Sequence, residues 1–242
     1  MVTPLRISVV LLVFAEKQTI AEISARLVDQ LGDSLQEIIL LVASAAPEDT
    51  LAICGDTAAR FEAVRVSMQR ENPGAGLAVR QGIAEAAGSH ILFMDSDGEM
   101  DVETVPSMVG TLTERRADMV VASRWKKGGG AVGYGRVKYL LNRGYQLIFR
   151  ALFRTAVRDL TLGFKLARAD VMKSLPWTSQ YHGIGCETTM RVLRAGFRVT
   201  DVPTVWRKRT EGASSNPFRR NFLYVSMAVS ILLGPSHRGE AL

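Results

Sequence analysis

Hydrophobic positions along the chain follow two rhythms. Short, largely apolar runs at residues 7–13, 37–43, 64–68, 90–94 and 119–122 alternate with segments whose apolar residues recur every three or four positions. Ile20, Ile23, Leu27, Val28 and Leu31 mark one such face over residues 19–31. Segments 47–60, 76–87 and 102–115 continue the series of helices. A near-continuous apolar run is what a strand buried on both faces requires. Strands alternating with helices imply right-handed crossovers and a mainly parallel, doubly wound α/β sheet with helices on both faces.

The second half changes character. Residues 126–135 are glycine-rich and read as a mobile loop, and 136–153 as a basic amphipathic helix. Residues 161–167 form a short extended segment and 185–195 a helix. Residues 197–206 read as a strand with Pro203 near its end, which suits a sheet edge because proline has no N–H for the ladder. A polar, basic loop at 207–216 precedes an apolar C-terminal helix. With no repeat or low-complexity linker, the expectation is one domain over 1–216 followed by an apolar helix and tail over 217–242.

Composition narrows the function classes. The chain has 242 residues, 47% of them hydrophobic and 22% charged, which allows a sizeable core and excludes disorder. A net charge of +6 favours anionic partners such as nucleotide phosphates or lipid head groups. Nucleic acid is not expected, since no recognition motif or aromatic-rich basic patch is present. Cys54 and Cys186 have neither metal-ligand nor disulfide spacing and read as small core residues in a reducing compartment. His90, His182 and His237 are scattered, which argues against a histidine-rich metal site. The first apolar run is too short for a signal peptide, and 222–234 falls short of the roughly 20 residues that span a bilayer. The expected location is the cytoplasm, with peripheral contact at the inner face of the membrane left open. Arg219, Arg220 and the run 222–233 fit an interfacial helix as well as one packed on the sheet.

Ligands of open parallel sheets bind outside the carboxyl ends of the strands. The fourth run ends there in Asp95, Ser96 and Asp97, followed by Glu99 and Asp101. Two carboxylates two residues apart suit a hard divalent cation, Mg²⁺ or Mn²⁺, that also grips a diphosphate. The competing reading is a helix cap, with Asp97 or Asp101 satisfying free backbone amides.

The order of motifs resembles the family 2 inverting glycosyltransferases of GT-A fold, in particular the dolichol- or polyprenyl-phosphate mannosyltransferase branch. The likeness runs from Ile7 to about Ser214. It is carried by the opening strand ending in Phe14, Ala15 and Glu16, the glycine-rich turn 72–78, and Phe93-Met94-Asp95-Ser96-Asp97-Gly98-Glu99. It continues through Ala122-Ser123-Arg124, Asp159 to Lys165, Glu187, the stretch 195–203, and Arg209 to Ser214. Each piece is weak alone, and the order and separations make them strong together.

The resemblance implies roles. Asp95, Asp97 and Glu99 would hold the metal. Phe14, Glu16, Ser44, Gly76, Asp95, Ser96 and Asp97 would line the donor site for a nucleotide-sugar. Arg124, Lys138, Asn142, Arg209 and Ser214 would clamp the phosphate of a polyprenyl-phosphate-like lipid acceptor. Asp97, Arg124 and Glu187 would form the catalytic set, and Asp159 would line the pocket. Gly163 and Phe164 read as architectural. One departure stands out: the family's acidic motif after the second strand is replaced by Val42-Ala43-Ser44, and Ala15 stands for the usual Asn. Both changes fall in the nucleoside pocket, so the nucleotide and sugar stay open. So do a transferase acting on a non-lipid acceptor and a degenerate, non-catalytic relative. A nucleotidyltransferase is disfavoured, because residues 14–17 do not form its glycine- and arginine-rich loop.

Overall fold

The computed structural model of the protein describes residues 5–71, 74–209 and 221–234. Asn72, Pro73, Thr210 to Arg220 (with Ser214) and both termini lie outside the described residues. A seven-stranded sheet has the order β3-β2-β1-β4-β7-β5-β8, from β1 (Ile7–Val13), β2 (Leu35–Val42), β3 (Val64–Met68), β4 (His90–Asp95), β5 (Met119–Ser123), β7 (Lys165–Arg168) and β8 (Val199–Pro203). All pairings are parallel except those of β7, which runs antiparallel between β4 and β5. The first five strands lie within a residue or two of the apolar runs, because a strand buried on both faces advertises itself directly.

Helices cover both faces. α1 (Gln18–Leu31), α2 (Glu48–Arg60) and α4 (Val105–Glu114) pack on one face, and α3 (Ala75–Glu85), α6 (Ala169–Ser174) and α7 (Ile184–Arg194) on the other. Two apolar cores result, one including Val9, Leu11, Leu40, Leu92 and Phe164, the other Val10, Ile39, Phe93, Val121 and Met190. Alternate residues of one strand therefore serve opposite cores, as the two-residue repeat of a strand demands.

Three expectations need correction. Residues 126–135 are not simply a mobile loop: β6 (Gly130–Val132) pairs in parallel with β9 (Val205–Arg207) in a separate two-stranded sheet. Residues 197–206 are two strands, because the chain leaves the main sheet after Pro203 and β9 turns to pair with β6. The short α6 was not anticipated. Pro203 does stand on an edge, since β8 is the last strand.

α8 (Asn221–Leu233) packs on the protein itself. Ala228 and Ile231 are buried in the second core, and Arg194 Nη2 donates to Leu232 O at 3.3 Å. α5 (Arg136–Leu152) is different. Val137, Leu140, Leu141, Leu147, Ile148 and Leu152 all stand exposed at helical spacing. Among the described residues, no helix is long and apolar enough to cross a membrane.

Lys165 lies wholly inside, its ammonium donating to Gly185 O and to Thr188 Oγ1. Burial disfavours the charge and brings its pKa down from 10.5 to about 7. Between those values the unfolded chain binds a proton that the folded one does not, so stability is expected to rise with pH across that window. Urea titrations of the protein and of Lys165→Met check this. The variant should show a flatter slope, and identical slopes would remove Lys165 as the cause.

Candidate active site

β1 and β4 are neighbours, and their carboxyl ends bring Glu16 together with Asp95, Ser96, Asp97 and Glu99. Asp95 is the last residue of β4 and pairs with Leu12. Ser96 ties the turn to β1, its amide and hydroxyl both donating to Leu12 O (3.0 and 2.8 Å). Thr19 Oγ1 donates to Ser96 O, anchoring the same turn to α1. Glu16 Oε2 accepts from the amides of Phe14 and Ala15 and from Ser96 Oγ. Ser96 is thus a structural tie, while Glu16 is locally satisfied yet adds negative charge.

The remaining carboxylates face one another. Asp97 Oδ1 accepts from the amide of Glu99 at 2.9 Å, which closes the turn, and Gly98 has φ +71°, a left-handed conformation suited to glycine. Asp95 has its pKa raised to about 7 by burial and then by the charges of Asp97, Glu99 and Glu16. Burial and Glu99 raise Asp97 to about 6. Among the described residues, none donates a hydrogen bond to the Asp95 carboxylate. Like charges crowded in a part-buried turn call for a cation.

The cation present is Arg209. Its Nη2 meets Asp97 Oδ2 at 2.7 Å and its Nε meets Glu99 Oε1 at 2.8 Å. Trp206 Nε1 donates to the other Glu99 oxygen at 3.0 Å. β9 carries Trp206 and ends two residues before Arg209, and the Arg207 amide donates to Glu99 O. The small sheet missing from the sequence reading is therefore what delivers Arg209 and Trp206 to the acidic turn. Among the described residues, no three His, Cys, Asp or Glu side chains converge as a ready-made metal cage. The donor set is nonetheless that of a hard cation: oxygen ligands only, unsatisfied at Asp95 and neutralised elsewhere by a guanidinium.

Tyr134 links this turn to α5. Its ring meets Trp206 edge-on at 5.1 Å and lies beneath Lys138 Nζ (4.7 Å) and near Arg124 (5.9 Å), and Asn142 Nδ2 donates to its hydroxyl at 3.4 Å. Four of the five expected phosphate-clamp residues thus group around Tyr134 and the acidic turn; Ser214 lies outside the described residues. Neither Tyr134 nor Trp206 was singled out from the sequence. Their local signals are slight: Trp206 precedes Arg207, and Tyr134 stands between two glycines.

Arg124 is already engaged. Nε and Nη2 fork onto Asp159 at 2.7 and 3.0 Å, and Nη2 also reaches Thr161 Oγ1 at 3.1 Å. The pair is buried, with side-chain exposures of 7% and 0%. Glu187 is fully buried as well: its carboxylate accepts from the amides of Thr178 and Ser179, from Thr178 Oγ1, and from Arg191 Nε. It latches the loop 177–183, which lies on the N-terminus of α3. There the Gly76 amide donates to Gln180 O at 2.9 Å, and a Cβ on Gly76 would sit 2.1 Å from Ser179 O. Gly76 is thus glycine for close packing, with its N–H already used. Phe14 (57% exposed) and Ser44 stand open at the ends of β1 and β2.

Comparison with known proteins settles the lineage. The model of glycosyl transferase family 2 matches residues 8–175. The chain belongs to that family. As a family 2 member it is similar to the dolichol-phosphate mannosyltransferase of Pyrococcus furiosus, at 23% identity across 91% of this chain and 62% of that protein. It therefore spans under two thirds of that relative's length. It is also similar to the undecaprenyl-phosphate mannosyltransferase of Micrococcus luteus, at 27% identity over 76% of this chain and 78% of that one. Its fold matches glucosyl-3-phosphoglycerate synthase of Mycobacterium tuberculosis, solved with Mn²⁺, UDP and phosphoglyceric acid, with a TM-score of 0.70 at 21% identity over 94% of this chain and 77% of that one. The family 2 chain thus has the GT-A architecture, with its acidic turn at the β4 end of the main sheet.

Proposed function

We propose that this family 2 chain transfers a sugar from a nucleotide-sugar to the phosphate of a polyprenyl-type lipid, with inversion and with a divalent metal. The observation that carries the reading is the acidic turn at the end of β4, faced by Arg209 and flanked through Tyr134 by Lys138, Asn142 and Arg124. A phosphomonoester has a second pKa near 6 and is largely dianionic at neutral pH. Its oxygen is already a nucleophile, so the chain needs to align it rather than to deprotonate it. Attack on the anomeric carbon forms the new C–O bond as the bond to the nucleoside diphosphate breaks on the opposite face.

Asp95, Asp97 and Glu99 would hold Mg²⁺ or Mn²⁺, which when bound supplies positive charge to the departing diphosphate. Lys138, Arg209 and Asn142 would bind and orient the acceptor phosphate. Arg124, locked to Asp159, would be a fixed cation behind them. Glu187 acts as a positioning residue, holding loop 177–183 against α3. Phe14 and Ser44 flank the nucleoside side, where the missing acid leaves the base unassigned. The two similar mannosyltransferases support the lipid acceptor, as does α5: its exposed apolar stripe runs beside Arg136, Arg143 and Arg150, the pattern of a helix lying on an anionic bilayer.

Vesicles of phosphatidylglycerol carrying a polyprenyl phosphate test both parts at once. Labelled sugar is expected to enter the lipid phase from one of a panel of nucleotide-sugars and to stop on chelation. The protein is expected to float with the vesicles. Leu140→Glu together with Leu147→Glu should reduce flotation at least about tenfold, given the cost of placing two carboxylates at the acyl boundary. Flotation that survives the double substitution would remove α5 as the membrane contact. Transfer to no lipid from any donor would remove the acceptor assignment.

A further inference from the structure

Arg209 has two claims on it. As an acceptor-phosphate ligand it should point its guanidinium at an anionic substrate, yet in the structure the fork lies on Asp97 and Glu99, at 2.7 and 2.8 Å. The Nε–Nη2 edge, one of the forked edges a phosphate would use, is spent on the carboxylates, and the guanidinium charge is offset by theirs, so its pull on a second anion is weakened. Its tether is favourable for movement. The main chain is fixed as far as Lys208, through the Arg207 amide to Glu99 O and the Lys208 amide to Val132 O. Glu99 is also held from the other side by Trp206 Nε1. The Arg209 guanidinium can therefore leave by rotation of its own side chain, while β9 and Glu99 stay in place.

Resting on the metal reading given above, we propose that Arg209 is a built-in counter-cation of the carboxylate turn that a divalent ion displaces, and that the displaced guanidinium then becomes available to the acceptor phosphate. Two consequences follow from charge alone. Before the ion arrives, Arg209 neutralises carboxylates whose mutual repulsion would otherwise protonate or splay them. Once the ion holds those oxygens, the guanidinium is repelled by the ion and released from both carboxylates. Metal loading thereby precedes acceptor binding. An acceptor phosphate arriving first meets an arginine already committed to two carboxylates.

The test reads binding rather than turnover. Mn²⁺ is titrated into the full chain by calorimetry and by electron paramagnetic resonance, without nucleotide, for the protein, Arg209→Met and Arg209→Lys. Removing the competing cation should tighten Mn²⁺ binding at least about tenfold in Arg209→Met. Arg209→Lys should fall between, because an ammonium is a point donor without the fork. Separately, dimethylallyl phosphate serves as the acceptor probe. It is expected to bind the unaltered protein only with Mn²⁺ present, and to bind Arg209→Met at least about tenfold more weakly under the same conditions. Equal Mn²⁺ affinity in all three proteins, or equal binding of the probe with and without Mn²⁺, would overturn the exchange while leaving the glycosyl-transfer reading intact. Failure of every form to bind Mn²⁺, even with a nucleoside diphosphate added, would overturn both.

Discussion

Asp97→Ala is expected to lower sugar transfer at least about a thousandfold while the protein stays folded, the scale of loss seen when a preorganised electrostatic contact to developing charge is removed. The structure explains why the two effects should separate. Among the described residues the Asp97 side chain bonds to the Glu99 amide and to Arg209, whereas its turn is anchored independently by Ser96 to Leu12 and by Thr19. Its loss also removes a like charge from beside Asp95. Circular dichroism and thermal melting should match the unaltered protein. Substantial transfer by a folded Asp97→Ala protein would mean that the acidic turn is a structural tie.

The second large effect concerns stability. Arg124→Met strands Asp159, whose side chain is fully buried and whose carboxyl is held below the usual range chiefly by that guanidinium, against the penalty of burial. Removing one partner of a buried pair costs about 3–5 kcal/mol. For a chain of this size that corresponds to a fall in Tm of roughly 6–20 °C. Adding Asp159→Asn should recover part of the loss, because the uncompensated charge is gone while an acceptor remains for the amides of Arg124, Thr161 and Leu162. Scanning calorimetry of the single and double variants decides. A fall under ~1 kcal/mol for Arg124→Met would show that water or another cation takes over at Asp159.

Much of the fold could be read before any coordinates, for a physical reason. β1 and β4 lie at the centre of the sheet with both faces buried, so nearly all their residues are apolar, and Ile7–Val13 shows it openly, its one polar residue being Ser8, whose hydroxyl donates to Glu37. The small β6–β9 sheet has no such signature. Gly130–Val132 is part-exposed and short, and its strand character comes from pairing with a segment some 75 residues away. The acidic turn was legible because Asp95 and Asp97 end an apolar strand. The position of Arg209 was not, since it depends on that same long-range pairing.

Burial also redistributed roles that motif order alone could not assign. Arg124 and Glu187 stand in segments that resemble family motifs, yet each is held by a dense set of internal hydrogen bonds. The same letters could equally have faced solvent or substrate. Only the partners, Asp159 for one and the loop amides of Thr178 and Ser179 for the other, reveal that these side chains first hold the site together.

Calorimetric titration of Mn²⁺ together with a panel of nucleoside diphosphates, for the protein and for Asp97→Ala, bears most directly on the acidic turn at the end of β4. One nucleotide is expected to bind in a Mn²⁺-dependent manner to the unaltered protein, with binding lost in Asp97→Ala. Nucleotide binding that is indifferent to Mn²⁺ and to the substitution would contradict it.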